Sequence, residues 1–274
     1  MENENQKAEI EELREELLQV KEDSEHLKRQ VMMAVNLRFH LMPNVFPVFA
    51  DVPEVDIYAD QISMADVGGD FYDIFRIDAD HIGILIADVF DGGDAAALFM
   101  VAFKIYLQGE LPMGFSAGKL MKLLNTRLTK CNEDNLSLSA WYGVYEISTG
   151  KIRAVNAGHE APLLLKNGSV AVCPEDEKSF LMGIFEGMDY TEYEMQLNPG
   201  DALVLYTDGL LKAKNNDGEL YTVENIMDVI SDSHDKDAEG IVAALQKDLL
   251  AYAADTPLTD DASILCLIRN KGER

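Results

Sequence analysis

Cysteine is scarce. Cys131, Cys173 and Cys266 are the three in 274 residues, scattered and odd in number. That excludes a disulfide framework and a thiolate metal knuckle, and leaves the three as small buried hydrophobes in a reducing compartment. Positive charge is short as well, with 23 Lys and Arg against 49 Asp and Glu and a net charge of −26. A field of that sign repels nucleic acid and anionic membranes, so neither is expected as a partner. It repels phosphorylated substrates too, unless bound cations supply local positive charge. No apolar run reaches the roughly 18 residues of a membrane-spanning helix. The acidic, polar N-terminus does not read as a secretory signal, and a cytoplasmic location is expected. His26, His40, His81 and His234 show no ligand spacing, and no nucleophile triad stands out.

What is present is a chain that is 47 % hydrophobic, enough for one large domain or two small ones. Residues 1 to about 40 contain no Gly or Pro, and their apolar positions, Ile10, Leu13, Leu17, Val20, Leu27, Val31 and Ala34, alternate by three and four. That spacing predicts a coiled-coil helix of about four heptads, with Ser24 the polar residue in its seam. A homodimer is its simplest product, and a single amphipathic helix lying on the domain is the alternative. The prolines of Met42-Pro43-Asn44-Val45-Phe46-Pro47 end it, dividing the chain into a helical linker, 1–42, and a domain, 43–274.

The domain reads as α+β. Strands are expected near 55–63, 73–78, 81–88, 138–147, 151–157, 161–166, 169–173, 191–196, 202–207 and 262–269, with tight turns at Thr149-Gly150, Asn167-Gly168 and Pro199-Gly200. Helices are expected over 94–109, apolar nearly all round and therefore buried, over 116–131 starting at a Ser cap, over 222–231 with Thr222 as cap, and over 237–252 starting at an Asp. Strands in meanders with helices inserted in pairs predict two packed antiparallel sheets with helices outside.

Four aspartates sit where apolar runs meet turns: Asp70 in VGGDFYD, Asp88 in HIGILIADV, Asp208 in ALVLYTDG and Asp260 in LTDDASILCLI. Strand ends can aim carboxylates at one point, where like charges need a cation between them. An all-oxygen site suits Mg²⁺ or Mn²⁺. Taken singly, each would read as a turn or capping residue. Asp73 and Asp261 are adjacent acids ranked below these four. His159 in NAGH reads as fixing a strand-to-strand turn, and Trp141 and Tyr142 as packing the sheet.

VGGDFYD bears a superficial likeness to the GGDEF signature of nucleotide cyclases, but the run that follows it does not fit that pattern. Six stretches in order, VGGDFYD at 67–73, ADV and a small-residue helix start at 87–98, YGVYEISTG at 142–150, NAGHEAPLLL at 156–165, LYTDGLLKAKNNDGELY at 205–221 and DDASILCL at 260–267, carry a clearer resemblance. Over about Leu37 to Ile268 the chain resembles the SpoIIE/RsbU-type bacterial serine/threonine phosphatases of the metal-dependent PP2C (PPM) family. That resemblance implies an αββα sandwich with two Mn²⁺ or Mg²⁺ ions at one edge. It implies that Asp88 bridges the ions, that the Val89 carbonyl completes the first site, and that Asp70, Asp208 and Asp260 complete the second. It also implies a water or hydroxide held between the metals as nucleophile, which needs no catalytic Ser, Cys or His. The substrate implied is a phosphorylated regulatory protein, an anti-sigma-factor antagonist of the STAS type in a partner-switching pathway. The N-terminal helix would set oligomeric state or receive a signal from an upstream sensor or activator.

Two departures stand against the family pattern. After Asp88 the family reads D-V-S-G-H/K-G, whereas this chain has Asp88-Val89-Phe90-Asp91-Gly92-Gly93-Asp94. The added charge would slow turnover, favour a third cation or alter substrate choice. Lys212 stands where the family more often has Glu, and reads as a solvated surface lysine. Two rival functions follow: a PP2C-fold regulator that binds a phosphoprotein or partner without turnover, and a hydrolase of small phosphoesters.

Overall fold

A computed structural model describes Arg14, Leu17, Lys21 and residues 42–63, 69–90, 94–111, 114, 116–133, 135–173 and 179–271. The expected heptad helix, residues 64–68 and Asp91–Gly93 of the divergent loop lie outside the described residues, apart from the three isolated positions named.

Among the described residues, ten strands make two five-stranded antiparallel sheets. In chain order they are β1 (Val55–Ile62), β2 (Asp70–Arg76), β3 (His81–Val89), β4 (Leu138–Glu146), β5 (Lys151–Ala157), β6 (Leu163–Lys166), β7 (Ser169–Val172), β8 (Tyr193–Gln196), β9 (Ala202–Tyr206) and β10 (Ala262–Arg269). One sheet runs β1-β10-β9-β6-β7 and the other β2-β3-β4-β5-β8. The helices are α1 (Asp94–Glu110), α2 (Ala117–Lys130), α3 (Gly209–Lys212), α4 (Val223–Asp232) and α5 (Ala238–Ala253). The α1–α2 pair lies against β3, β4 and β5, and the α4–α5 pair against β1, β6, β7 and β10, so helices form both outer layers. The α+β sandwich expected from the sequence is the fold observed.

Turn chemistry fixes three strand connections, the β4–β5 and β6–β7 hairpins and the passage from β8 to β9 in the other sheet. Gly150, Gly168 and Gly200 have φ of 76°, 77° and 92°, in the left-handed region that costs glycine least. Thr222 accepts a hydrogen bond from the Asn225 N–H while the Asn225 side chain reciprocates, a capping box that starts α4. Asp237 caps α5 through the Gly240 N–H at 2.8 Å. Ser116 occupies the N-cap position of α2 but its side chain makes no capping bond. The Gly118 N–H instead donates to Glu192 Oε1 at 2.9 Å, which satisfies one of the orphan donors of that helix end.

The period of two along each strand decides what faces what. On β9 and β10 the residues Ala202, Val204, Tyr206, Ala262, Ile264 and Cys266 join the cluster formed with α4 and α5 around Ile226, Ile230, Ile241 and Leu245. The alternate residues of those strands therefore face the other sheet. On β2, Phe71 meets Phe103 of α1 with ring centroids 5.6 Å apart, so Asp70, Tyr72 and Ile74 point into the gap between the sheets. The Tyr72 hydroxyl lies 3.4 Å from the Ala59 carbonyl of β1, across that gap. Trp141 and Tyr142 are buried in β4, as expected.

Three expectations need correction. β2 begins at Asp70 rather than 73, because Asp70 pairs with Asp88 in the ladder with β3. α1 is not buried all round: Leu98 and Ile105 are 47 % and 60 % exposed, since an outer-layer helix covers its sheet with one face only. Cys131 is exposed at the end of α2, while Cys173 and Cys266 are buried.

Candidate metal centre

The antiparallel registers bring the four aspartates to one edge. Asp70 opens β2 directly opposite Asp88 near the end of β3, and directly opposed residues share a face. Asp208 follows the end of β9 and Asp260 precedes the start of β10, strands that are antiparallel neighbours in the other sheet. Asp70 and Asp88 are buried, whereas Asp208 and Asp260 are half-buried at the rim.

Asp70 ties the two sheets together. Thr207 Oγ1 donates to Asp70 Oδ2 at 2.5 Å, and Ser263 Oγ donates to the same oxygen at 2.8 Å. Thr207 Oγ1 in turn accepts from the Ser263 N–H at 3.0 Å. Neither hydroxyl was singled out in the sequence. The strand phase that aims Tyr206 and Ala262 at the helices aims Thr207 and Ser263 at the opposite sheet, and that phase was the available signal.

The backbone beside Asp88 is as specific. A Cβ on Gly69 would lie 2.3 Å from the Val89 carbonyl oxygen and 3.0 Å from Asp88 Oδ1. Glycine there leaves the carbonyl and the carboxylate facing the same small space, which a side chain would fill. The second glycine of VGGD is thus needed for room at the Val89 oxygen.

Burial pushes the Asp70 carboxyl well above the ordinary carboxylate range, the charge of Asp88 adds to this, and the Thr207 and Ser263 hydrogen bonds oppose it. Burial likewise pushes Asp88 up to about 7, reinforced by Asp208 and Asp260 and opposed by Lys212. The two buried acids of this edge, Asp70 and Asp88, are therefore under electrostatic stress that positive charge relieves.

Lys212 corrects the sequence reading. It is not a free surface lysine: its ammonium lies 2.8 Å from Asp208 Oδ1 and 2.6 Å from Asp260 Oδ2. Asp208 Oδ1 is buried and accepts no hydrogen bond of good geometry. Among the described residues no three carboxylates, imidazoles or thiols are gathered closely enough to grip one ion as a set. The donor chemistry nevertheless fits divalent Mg²⁺ or Mn²⁺: carboxylate and carbonyl oxygens, and the space that Gly69 leaves at the Val89 oxygen and Asp88.

Other acids of the motifs serve structure. Asp73, three residues from Asp70, points to the opposite face of β2 and pairs with the buried Lys104 of α1 at 3.1 Å. Asp261 accepts from Gln61 Nε2 at 2.9 Å and is buried. His159 is held as expected. Its N–H donates to Asn156 Oδ1 at 2.7 Å, Asn156 Nδ2 donates to its carbonyl at 3.1 Å, and Nδ1 lies 2.9 Å from Ser139 Oγ. A cavity of about 540 Å³ lined by Arg76, Asp80, Ser148 and Arg269 opens at the other end of the strands, away from the aspartates.

The family model described as Stage II sporulation protein E (SpoIIE) matches residues 78–270. The chain belongs to the SpoIIE family. It is 25 % identical over 246 residues to phosphoserine phosphatase RsbU of Bacillus subtilis, covering 89 % of this chain and 71 % of that one. It is 27 % identical over 231 residues to protein IcfG of Synechocystis, covering 74 % of this chain but 36 % of IcfG, so the match is to about a third of that relative. Among solved structures, the SiaA-PP2C domain of Pseudomonas aeruginosa superposes with a TM-score of 0.76 at 18 % identity, covering 90 % of this chain and 98 % of that one. The sandwich is thus the PP2C fold. No helix among the described residues is long and apolar enough to cross a membrane.

Proposed function

We propose that this chain is a metal-dependent phosphoprotein phosphatase acting on phosphoserine or phosphothreonine. The observation that supports it most directly is the meeting of Asp70, Asp88, Asp208 and Asp260, from the ends of four strands in two sheets, at one edge. Two divalent ions held there would supply Lewis acidity toward the phosphate oxygens and activate a water for attack. The chain's own residues do the placing. Asp88 and the Val89 carbonyl, given room by Gly69, would hold one ion, and Asp70, Asp208 and Asp260 the other, with Asp88 shared. Thr207 and Ser263 fix the orientation of Asp70, and the ladder between β2 and β3 fixes Asp88 against it. Bound cations also answer the net charge of −26, which otherwise opposes approach of a phosphate.

The substrate class in this reading is a phosphorylated regulatory protein, with a STAS-type anti-sigma-factor antagonist as the first choice. Its support is the likeness to RsbU, a named phosphoserine phosphatase, over most of this chain. Residues 1–42 would form the dimerising helix and the point at which an upstream activator acts. The test is phosphate release from a phosphorylated STAS protein with Mn²⁺, with and without residues 1–42. Release is expected for the wild type and a loss of at least a hundredfold for Asp88→Asn and Asp208→Asn. Undiminished release in both variants would refute the mechanism.

A further inference from the structure

The Asp208–Asp260 half of the centre already has a cation. Lys212 sits one helical turn after Asp208 on α3, so its stem runs along the same side of the helix as Asp208. Its ammonium stands between two carboxylates that reach the edge from different strand ends, within ion-pair distance of both. The Asp88–Val89 half differs: among the described residues no cation is paired with Asp88, and Gly69 keeps the space at the Val89 oxygen open. The two halves of one acidic edge are therefore unequally neutralised by the protein itself.

An ammonium carries one charge and three donors but no vacant coordination position. It can neutralise a carboxylate pair and hold it in place, yet it cannot take a phosphate or water oxygen as a ligand in the way a divalent ion does. The Lys212 side chain is 41 % exposed on a flexible four-carbon stem, so its head can leave for solvent without moving the backbone of α3.

We propose that Lys212 is a tethered competitor for the second metal ion, so that a divalent ion reaches Asp208 and Asp260 only by displacing the ammonium. This rests on the metal-centre reading above and adds an order of loading to it. The ion at Asp88 and Val89 binds first, and the ion at Asp208 and Asp260 binds second and more weakly.

Mn²⁺ binding to the full chain, followed by calorimetry and by counting bound Mn²⁺ by electron paramagnetic resonance, tests this without reference to turnover. The wild type is expected to show one tighter and one weaker ion. Lys212→Met should tighten the weaker ion at least tenfold and change the tighter one less than threefold. Lys212→Arg, which keeps a cation on a stem of similar length, should leave the weaker ion weak. Lys214→Met removes the same charge from an exposed position nearby and should change either affinity less than twofold, which separates displacement from general electrostatics. Two ions bound with the same affinities in the wild type and Lys212→Met would overturn the competitor role alone. Tightening by Lys214→Met equal to that by Lys212→Met would also overturn it. No Mn²⁺ on any of these proteins would overturn the metal-centre reading together with it.

Discussion

Thr207 donates its hydroxyl to Asp70 across the gap between the two sheets, at 2.5 Å. This bond and its neighbour from Ser263 join the start of β2 to the end of β9 and the start of β10, so the acidic edge is one structure rather than two facing rims. Asp70 Oδ2 is buried, and losing a donor leaves it under-satisfied. Thr207→Val is therefore expected to cost about 1–3 kcal/mol in urea unfolding, with Ser263→Ala costing a similar amount. If Asp70 is a metal ligand, Thr207→Val should also weaken Mn²⁺ binding. A Thr207→Val protein as stable as the wild type would show that the inter-sheet bond does not hold the edge.

Asp88 predicts an inverted pH dependence for the metal-free protein. Burial, then the charges of Asp208 and Asp260, push its carboxyl up to about 7, above the ordinary value near 4 that it has when unfolded. A raised folded value means that the native state binds the proton more tightly. The stability it contributes is fully present below about pH 4 and is lost as pH rises through about 7. Asp88→Asn removes that penalty. In metal-free buffer at pH 8 it should be more stable than the wild type by about 1–3 kcal/mol, and the gap should narrow as pH falls below about 7 and close below about pH 4. Saturating Mn²⁺ should reverse the order at pH 8, because a bound cation favours the ionised carboxylate. Thermal unfolding at both pH values, with and without Mn²⁺, checks all three statements.

Gly209 is the residue whose replacement should disturb the rim most. A Cβ there would lie 1.7 Å from the Asp261 carbonyl oxygen, a backbone atom that cannot swing aside. Gly209→Ala has to push α3 off the start of β10, separating Asp208 and Lys212 from Asp260. A loss of roughly 3 kcal/mol or more is expected. Gly109 in α1, whose added Cβ would meet nothing within 4 Å, is the control. Gly109→Ala should be neutral or stabilise by about 0.5–1 kcal/mol through helix propensity. Equal effects of the two substitutions in denaturant titrations would count against the close-contact account of Gly209.

The strands were legible because each combines an apolar run with turn residues whose backbone needs are specific, such as Asn167-Gly168 between β6 and β7. The four aspartates were legible because strand ends are visible as places where apolar runs stop. The contacts of Lys212 were not, since its partner Asp260 lies 48 residues away and nothing local marks their meeting. The hydroxyls on Asp70 come from 137 and 193 residues away, and only strand phase, read after the sheets are known, points them there. α1 misled for a related reason. A helix of nearly uniform apolarity gives no stripe to read, so Leu98 and Ile105 could not be told from Phe99 and Phe103.

Asp73 and Lys104 settle the last acid of VGGDFYD as a structural residue, and they allow a clean test. Both are buried and lie 3.1 Å apart, joining β2 to α1 on the face away from the acidic edge. Burial raises the Asp73 carboxyl and Lys104 opposes that rise, so the carboxylate depends on its partner. Removing one member of a buried pair leaves an uncompensated charge and costs about 3–5 kcal/mol, whereas replacing both by residues of similar volume costs little or nothing. Lys104→Met alone should therefore lower stability by about that amount at pH 7. The loss should shrink as pH falls towards 4, where the orphaned Asp73 can take up a proton. Lys104→Met combined with Asp73→Leu should recover most of the stability, giving a coupling energy of about 2 kcal/mol or more in a double-mutant cycle. Mn²⁺ binding should survive in the double variant, because Asp70 faces the other sheet. A double variant that folds yet has lost its Mn²⁺ would place Asp73 in the centre after all.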